Sequence, residues 1–267
     1  MTTFTLPNEV QSFITDLSHF QQVEAIMLGG SKSVGVGDAS SDYDFYIYYG
    51  NELMPAEQRI PILQKHCSYF EPNNTFWETE DNGTLNCGTD FDIVYRHIDD
   101  FFGFARQKQS CVASVGYSTC LWANVMNSVI LYDKSGEGQR LKDAFGTDYP
   151  DALAKAIISK NMALITGTMP AYDKQIAKAV KRGDIVNVHN RIDAFLASYF
   201  DILFALNRIP HPGEKRMVPY LKQQAHILPE NFEENLTSLL NCSPSDERII
   251  GIVADMAAAL KKNLEKI

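Results

Sequence analysis

Two aspartates separated by one residue open a strand-like run, Asp42-Tyr43-Asp44-Phe45-Tyr46-Ile47. Successive side chains of a strand point to opposite faces, so Asp42 and Asp44 project together, while Phe45 and Ile47 face the other layer and mark it as core. Two carboxylates held side by side repel each other, and a hard divalent cation that takes oxygen ligands, such as magnesium, relieves the repulsion. Just upstream stands Leu28-Gly29-Gly30-Ser31-Lys32. Its glycines let the backbone approach a ligand closely, and exposed amides beside the Ser31 hydroxyl suit phosphate oxygens. A nucleoside triphosphate would satisfy both halves. Each half alone is ambiguous, since Asp-x-Asp also occurs on solvated edge strands and paired glycines usually mark an ordinary turn.

Positioning these groups requires a strand, a turn and a second strand, and the flanking sequence supplies them. Val10, Phe13, Ile14 and Leu17 recur at helical spacing over residues 8–20, and a short buried strand then stops at Gly29 and Gly30. Residues 55–70 read as a helix that turns Ile60, Leu63 and Tyr69 to the core, with Pro61 an irregularity near its start. Asn73-Asn74 and Asp81-Asn82-Gly83 predict loops or a hairpin over 71–87, within which Trp77 and Glu78 are placed either to meet a ligand or, for Trp77, to pack in the core. Phe91–Ile98 reads as a strand, residues 97–108 as a helix and 127–133 as a further strand. From about residue 150 only helical periodicity remains. The expected class is α+β, with a mixed sheet and helices in residues 1–147 followed by a helical bundle in residues 148–267.

Composition narrows the chemistry. A net charge of −9 and a pI near 5.1 lack the basic footprint of a general nucleic-acid binder, which favours a small or locally recognised partner. At 45% hydrophobic and 21% charged residues, the 267-residue chain can bury a full core. No stretch approaches the roughly 18 apolar residues of a membrane helix and no leader is evident, so the expectation is a cytoplasmic protein. The five cysteines, Cys67, Cys87, Cys111, Cys120 and Cys242, show no metal-binding spacing and read as reduced thiols. Gly35-Val36-Gly37 lacks the third glycine of a dinucleotide fingerprint, and neither a Walker loop nor a serine nucleophile elbow occurs.

The order strand, Gly30-Ser31, a loop of about ten residues, then Asp42-Tyr43-Asp44 opening the next strand resembles the signature of the polymerase-beta-like nucleotidyltransferase superfamily. The layout is similar to the bacterial two-domain type that includes aminoglycoside and lincosamide nucleotidyltransferases. The resemblance implies that Gly30 and Ser31, with Gly29 beside them, hold the phosphates, and that Asp42 and Asp44 bind metal. It also implies a third carboxylate on a later strand. Phe91-Asp92-Ile93-Val94-Tyr95 provides it, with Asp90 a rival of the same parity and Asp92 preferred because strand-forming residues flank it on both sides. Asp92 would bind a second metal ion or take the proton of the acceptor hydroxyl. Asn207-Arg208 followed by Pro212-Gly213-Glu214-Lys215-Arg216 is similar to an element of the same bacterial enzymes, which makes Lys215 and Arg216 the cations expected against the triphosphate.

The activity so implied is transfer of a nucleoside monophosphate, AMP by preference, from a triphosphate to a hydroxyl of a small molecule. Two Mg2+ ions would clamp the attacking and leaving oxygens while pyrophosphate departs. Two alternatives share the motif: nucleotidylation of a protein side chain, as in toxin and antitoxin systems, and a nucleotide-binding regulator that has lost its chemistry. Length speaks against the first and the intact carboxylates against the second.

Overall fold

A computed structural model describes residues 5–35, 41–109 and 113–265. Val36, Gly37 and Cys111, named above, lie outside the described residues. The chain divides into two units, Met1–Gln107 with Asn124–Thr147, and Lys108–Ala123 with Asp148–Ile267.

The first unit is built on a mixed six-stranded sheet in the order β3-β4-β5-β2-β1-β6. Its strands are β1 (Val23–Leu28), β2 (Tyr43–Tyr49), β3 (Cys67–Asn74), β4 (Thr79–Leu85), β5 (Asp90–His97) and β6 (Val129–Asp133). Among the described residues only β2 and β5 pair in parallel; every other neighbouring pair is antiparallel. Period-two alternation along β2 and β5 sorts two faces. Phe45, Ile47, Phe91 and Ile93 turn to one side, where α1 (Asn8–Ser18) buries Val10, Phe13, Ile14 and Leu17 against them. The Phe13 ring meets Phe45 edge-on at 6.4 Å and Phe91 at 5.3 Å. Each such side chain contributes roughly 1.5–3 kcal/mol by leaving water. On the opposite face Tyr48 meets Phe101 of α4 (Ile98–Gln109) at 5.3 Å.

Beneath the α1 face lies a buried ion pair. Arg59 of α3 (Ala56–His66) donates from Nε and Nη2 to both oxygens of Asp81 on β4, at 2.8 and 2.9 Å, with both side chains at most 1% exposed. Tyr95 adds its hydroxyl to the same carboxylate at 2.8 Å, and the backbone N–H of Asn73 donates to it at 2.8 Å. This pair explains a correction to the sequence reading of residues 55–70. Arg59, which has a buried partner, takes the fully buried position, and Ile60 is only partly covered. The helix ends at His66, so Tyr69 falls on edge strand β3 and stands 57% exposed. Trp77, at the hairpin tip, is 90% exposed and does not pack in the core, whereas Trp122 is buried.

After α5 (Cys120–Asn127) and α6 (Glu137–Phe145) the chain continues into the helical second unit, with α7 (Asp151–Ile165), α8 (Tyr172–Arg182), α9 (Ile185–Leu206), α10 (Met217–Gln224), α11 (Phe232–Asn241) and α12 (Arg248–Leu264). Central α9 starts at Asp184, whose side chain accepts from the Asn187 N–H, and from Ser198 to Leu206 every residue is buried. A helix buried all round belongs at the middle of a bundle. Residues 108–123, expected in the first domain, group with this unit instead. Polar bonds account for it: Ser118 donates its N–H and hydroxyl to Asp201 of α9 at 3.0 and 2.7 Å, and the Gly116 N–H donates to Asn161 of α7 at 3.2 Å. No helix among the described residues is long and apolar enough to cross a membrane.

Two stability predictions follow from these interiors. Arg59→Ala leaves the Asp81 charge buried alone, so the first unit should lose about 3–5 kcal/mol in urea unfolding, with part of the loss recovered in the Arg59→Ala, Asp81→Ala double variant. In the second unit, burial among Tyr117 and Phe204 pushes the fully covered His211 imidazole down from 6.5 to about 4. A base depressed in the fold stays neutral while the unfolded chain takes up its proton, so stability is complete above pH 6.5 and declines as pH falls toward 4. The native protein should lose about 2 kcal/mol between pH 7.5 and pH 5 through this group, a slope that His211→Phe removes.

Candidate metal and phosphate site

Asp42 immediately precedes β2, and Asp44 is its second residue. The parallel register sets Asp44 directly beside Asp92 on β5. One carboxylate oxygen from each of Asp42, Asp44 and Asp92 lies within 4.8 Å of the other two, and all three side chains are partly covered. At that separation, each pair of ionised groups repels by about 3 kcal/mol in an effective dielectric of about 20. Three converging oxygen donors of like charge make a seat for a hard divalent cation, which prefers such ligands. Asp90 has the same parity but a different environment: it is exposed, and Thr84 of β4 donates to its Oδ1 at 2.7 Å.

The turn after β1 is shaped around the same carboxylates. Gly30 has φ +63°, and a Cβ added to it would sit 1.6 Å from Asp44 Oδ2. Glycine is therefore required twice over, for its left-handed backbone and for the room its missing side chain gives Asp44. Gly29 donates its N–H to the Asp44 carbonyl at 2.8 Å, and its own missing Cβ admits the Tyr46 ring, which would otherwise lie 2.2 Å away. The Gly29 amide is thus engaged by the protein. Ser31 and Lys32 are partly exposed on the one-turn helix α2 (Gly30–Ser33), with the Lys32 ammonium 4.7 Å from the centre of the Tyr43 ring.

Behind the carboxylates, the same sheet face carries a buried cation that the sequence reading missed. The Arg96 guanidinium lies 4.1 Å from the centre of the Tyr46 ring and is bound by both oxygens of Glu78 at 2.8 and 3.0 Å. Asn124 closes the arrangement, accepting from Arg96 at 2.7 Å and donating to the Tyr46 hydroxyl at 2.8 Å. Glu78 is therefore held as the partner of Arg96. Asn82 was also missed. Its Nδ2 donates to Asp92 Oδ1 at 2.6 Å from the neighbouring strand. The signal for it was available only as a pairing register, because Asn82 in isolation reads as a turn residue.

The basic segment at 207–216 belongs to the second unit. Asn207 accepts the N–H groups of His226 and Ile227 at 2.9 and 2.8 Å, and Arg208 is paired with Asp151 at 2.7 Å, so both hold the end of α9 in place. Lys215 is exposed. Arg216 has φ +57° and, with Tyr117, Asp193, Phe200 and Leu236, lines a cavity of about 320 Å³ within that unit.

Residues 118–222, less than half of the chain, match a family described as a domain of unknown function, DUF4037. No curated protein matches the chain. Among solved structures it is similar to a nucleotidyltransferase-like protein from Exiguobacterium sibiricum 255-15, with 9% identity and a TM-score of 0.44 over 95% of this chain and 74% of that one. An aminoglycoside 6-adenyltransferase from Bacillus subtilis is similar at 10% identity and a TM-score of 0.31, over 97% of this chain and 92% of that one. The CCA-adding enzyme of Thermotoga maritima, complexed with tRNA, is similar at 12% identity and a TM-score of 0.28, over 97% and 81%. Likeness this faint assigns no activity to this chain.

Gly30→Ala tests the geometry of the turn directly. The added methyl must displace the Asp44 carboxylate from Asp42 and Asp92, so Mn2+ affinity measured by electron paramagnetic resonance should fall by at least about tenfold, with the fold retained by circular dichroism.

Proposed function

We propose that the first unit is a divalent-metal-dependent nucleotidyltransferase, which moves AMP from ATP to the hydroxyl of a small-molecule acceptor and releases pyrophosphate. The observation that carries this reading is the convergence of Asp42, Asp44 and Asp92 beside a glycine turn shaped to admit Asp44. Oxygen donors alone, with no histidine or thiolate among them, suit magnesium. Asp42, Asp44 and Asp92 would hold it, and when bound it would neutralise the phosphate oxygens and favour departure of pyrophosphate.

The protein's own groups account for the rest. Ser31 donates its hydroxyl, and the turn around Gly30 its backbone, to the outer phosphate oxygens. Asp92 takes the proton of the acceptor hydroxyl as the new bond forms between that oxygen and the α-phosphorus. The bond from the α-phosphorus to the bridging oxygen breaks, and the electron pair leaves with pyrophosphate. Tyr46, clamped on Arg96, backs the turn and resists displacement of Gly29. Catalysis of this kind is positioning and charge stabilisation, and it needs no protein nucleophile.

Pyrophosphate release is the decisive measurement, with Mg2+, each of the four nucleoside triphosphates, and hydroxyl-bearing acceptors including aminoglycosides and lincosamides. Asp42→Ala, Asp44→Ala and Asp92→Asn should each lower release by at least about a hundredfold, while Asp90→Asn stays within about threefold of the native rate. A native protein that neither binds triphosphate with Mg2+ nor releases pyrophosphate would sink the proposal.

A further inference from the structure

Asn82 stands on β4 directly across from Asp92 in the antiparallel register. Its Nδ2 reaches two carboxylates, Asp92 Oδ1 at 2.6 Å and Glu80 Oε2 at 3.2 Å. Its Oδ1 is buried with no hydrogen-bond partner among the described residues. An amide that leaves its buried carbonyl oxygen unsatisfied is destabilised relative to one fully bonded. Turning the amide over would not recover this, because it would set the carbonyl oxygen against Asp92 Oδ1 and lose both carboxylate bonds. The orientation is therefore locked by Asp92 and Glu80, and the lock runs in both directions: Asn82 fixes one oxygen of Asp92.

We propose that Asn82 is a positioning residue, which holds the Asp92 carboxylate in the orientation that lets Asp42, Asp44 and Asp92 share a divalent cation. The inference rests on the metal-dependent reading above and adds to it a residue that touches neither cation nor substrate. Partners of ligating carboxylates restrict the rotation of the ligand, so the cation does not have to order the carboxylate on binding.

The neighbouring strand position supplies a matched control. Thr84 donates to Asp90 at 2.7 Å across the same two strands, outside the carboxylate cluster. Thr84→Ala removes a side-chain bond between β4 and β5 as Asn82→Ala does, without touching Asp92. Mn2+ binding to the full chain, followed by electron paramagnetic resonance, should weaken by about ten- to a hundredfold in Asn82→Ala and remain unchanged in Thr84→Ala, with similar thermal midpoints for both. In pyrophosphate release, Asn82→Ala should require correspondingly more Mg2+ and approach the native rate at saturation. Native affinity in Asn82→Ala, alongside loss of Mn2+ in Asp44→Ala, overturns the positioning role and leaves the metal site standing. Equal weakening in Thr84→Ala also overturns it, because strand pairing would then be the cause. If the native chain binds no Mn2+, both the metal reading and this inference fall.

Discussion

Three carboxylates can be kept within one cation's reach only if the backbone does the holding, because the groups repel one another. The parallel pairing of β2 with β5 does this by setting Asp44 beside Asp92. It is the only parallel contact in the sheet among the described residues. Parallel neighbours in register present equivalent faces at the same height, so two strands that each carry an aspartate near their start, Asp44 and Asp92, deliver their acids together. A slip of one residue would send Asp92 to the core face and bring Phe91 or Ile93 into the cluster. The apolar rows that meet Phe13 and its neighbours make such a slip costly, so the core on one face specifies the chemistry on the other.

The two faces of the sheet hold charge in different ways. On the α1 face, the Arg59–Asp81 pair is dry and closed, with Tyr95 and the Asn73 amide meeting further acceptor capacity of the carboxylate. A buried pair of this kind contributes less to net stability than its geometry suggests, since both ions lost their hydration; its effect is to tie α3 and β4 into one arrangement. On the other face the acids are only partly covered, and positive charge is kept one layer back. Arg96 is already matched by Glu78, Asn124 and the Tyr46 ring, so it stiffens the wall behind Asp44.

Much of the first unit was legible in the sequence because local pattern and tertiary environment agree there. Val10, Phe13, Ile14 and Leu17 are the buried residues of α1, and the alternation in β2 and β5 reports their faces. Asp42 and Asp44 could be paired by parity alone, whereas Asp92 was expected beside them only through a resemblance; one oxygen of each of the three lies within 4.8 Å of the others. What could not be read were facts of register and long-range pairing. Nothing near Asn82 says that Asp92 is its neighbour, nothing near Arg59 predicts that a charged side chain will displace Ile60 from the core, and Tyr69 looked helical because Cys67–Asn74 lacks clean alternation. Asp90 and Asp92 have the same parity, and only Thr84 and Asn82 across the ladder separate an exposed strand end from a cluster member.

The second unit is legible as helices but not in how one of its segments docks, for a related reason. The segment of residues 113–119, which groups with those helices, has no apolar pattern to reveal where it packs. It is placed by polar bonds to partners far along the chain: Ser118 to Asp201, Gly116 to Asn161, and the Thr119 hydroxyl accepting from the His211 backbone at 2.8 Å. Burial pushes the Asp201 carboxyl above its ordinary range, and the bonds from Ser118 and Asn161 pull against that shift. An ion so placed is costly unless every donor stays in register, so it discriminates strongly between the native docking of the segment and any near alternative. The family match over residues 118–222 takes in Ser118, Thr119, Asn161, Asp201 and His211 together, while Asp42, Asp44 and Asp92 fall outside it. The matched region therefore takes in that polar lock apart from Gly116, and the carboxylate cluster lies outside it.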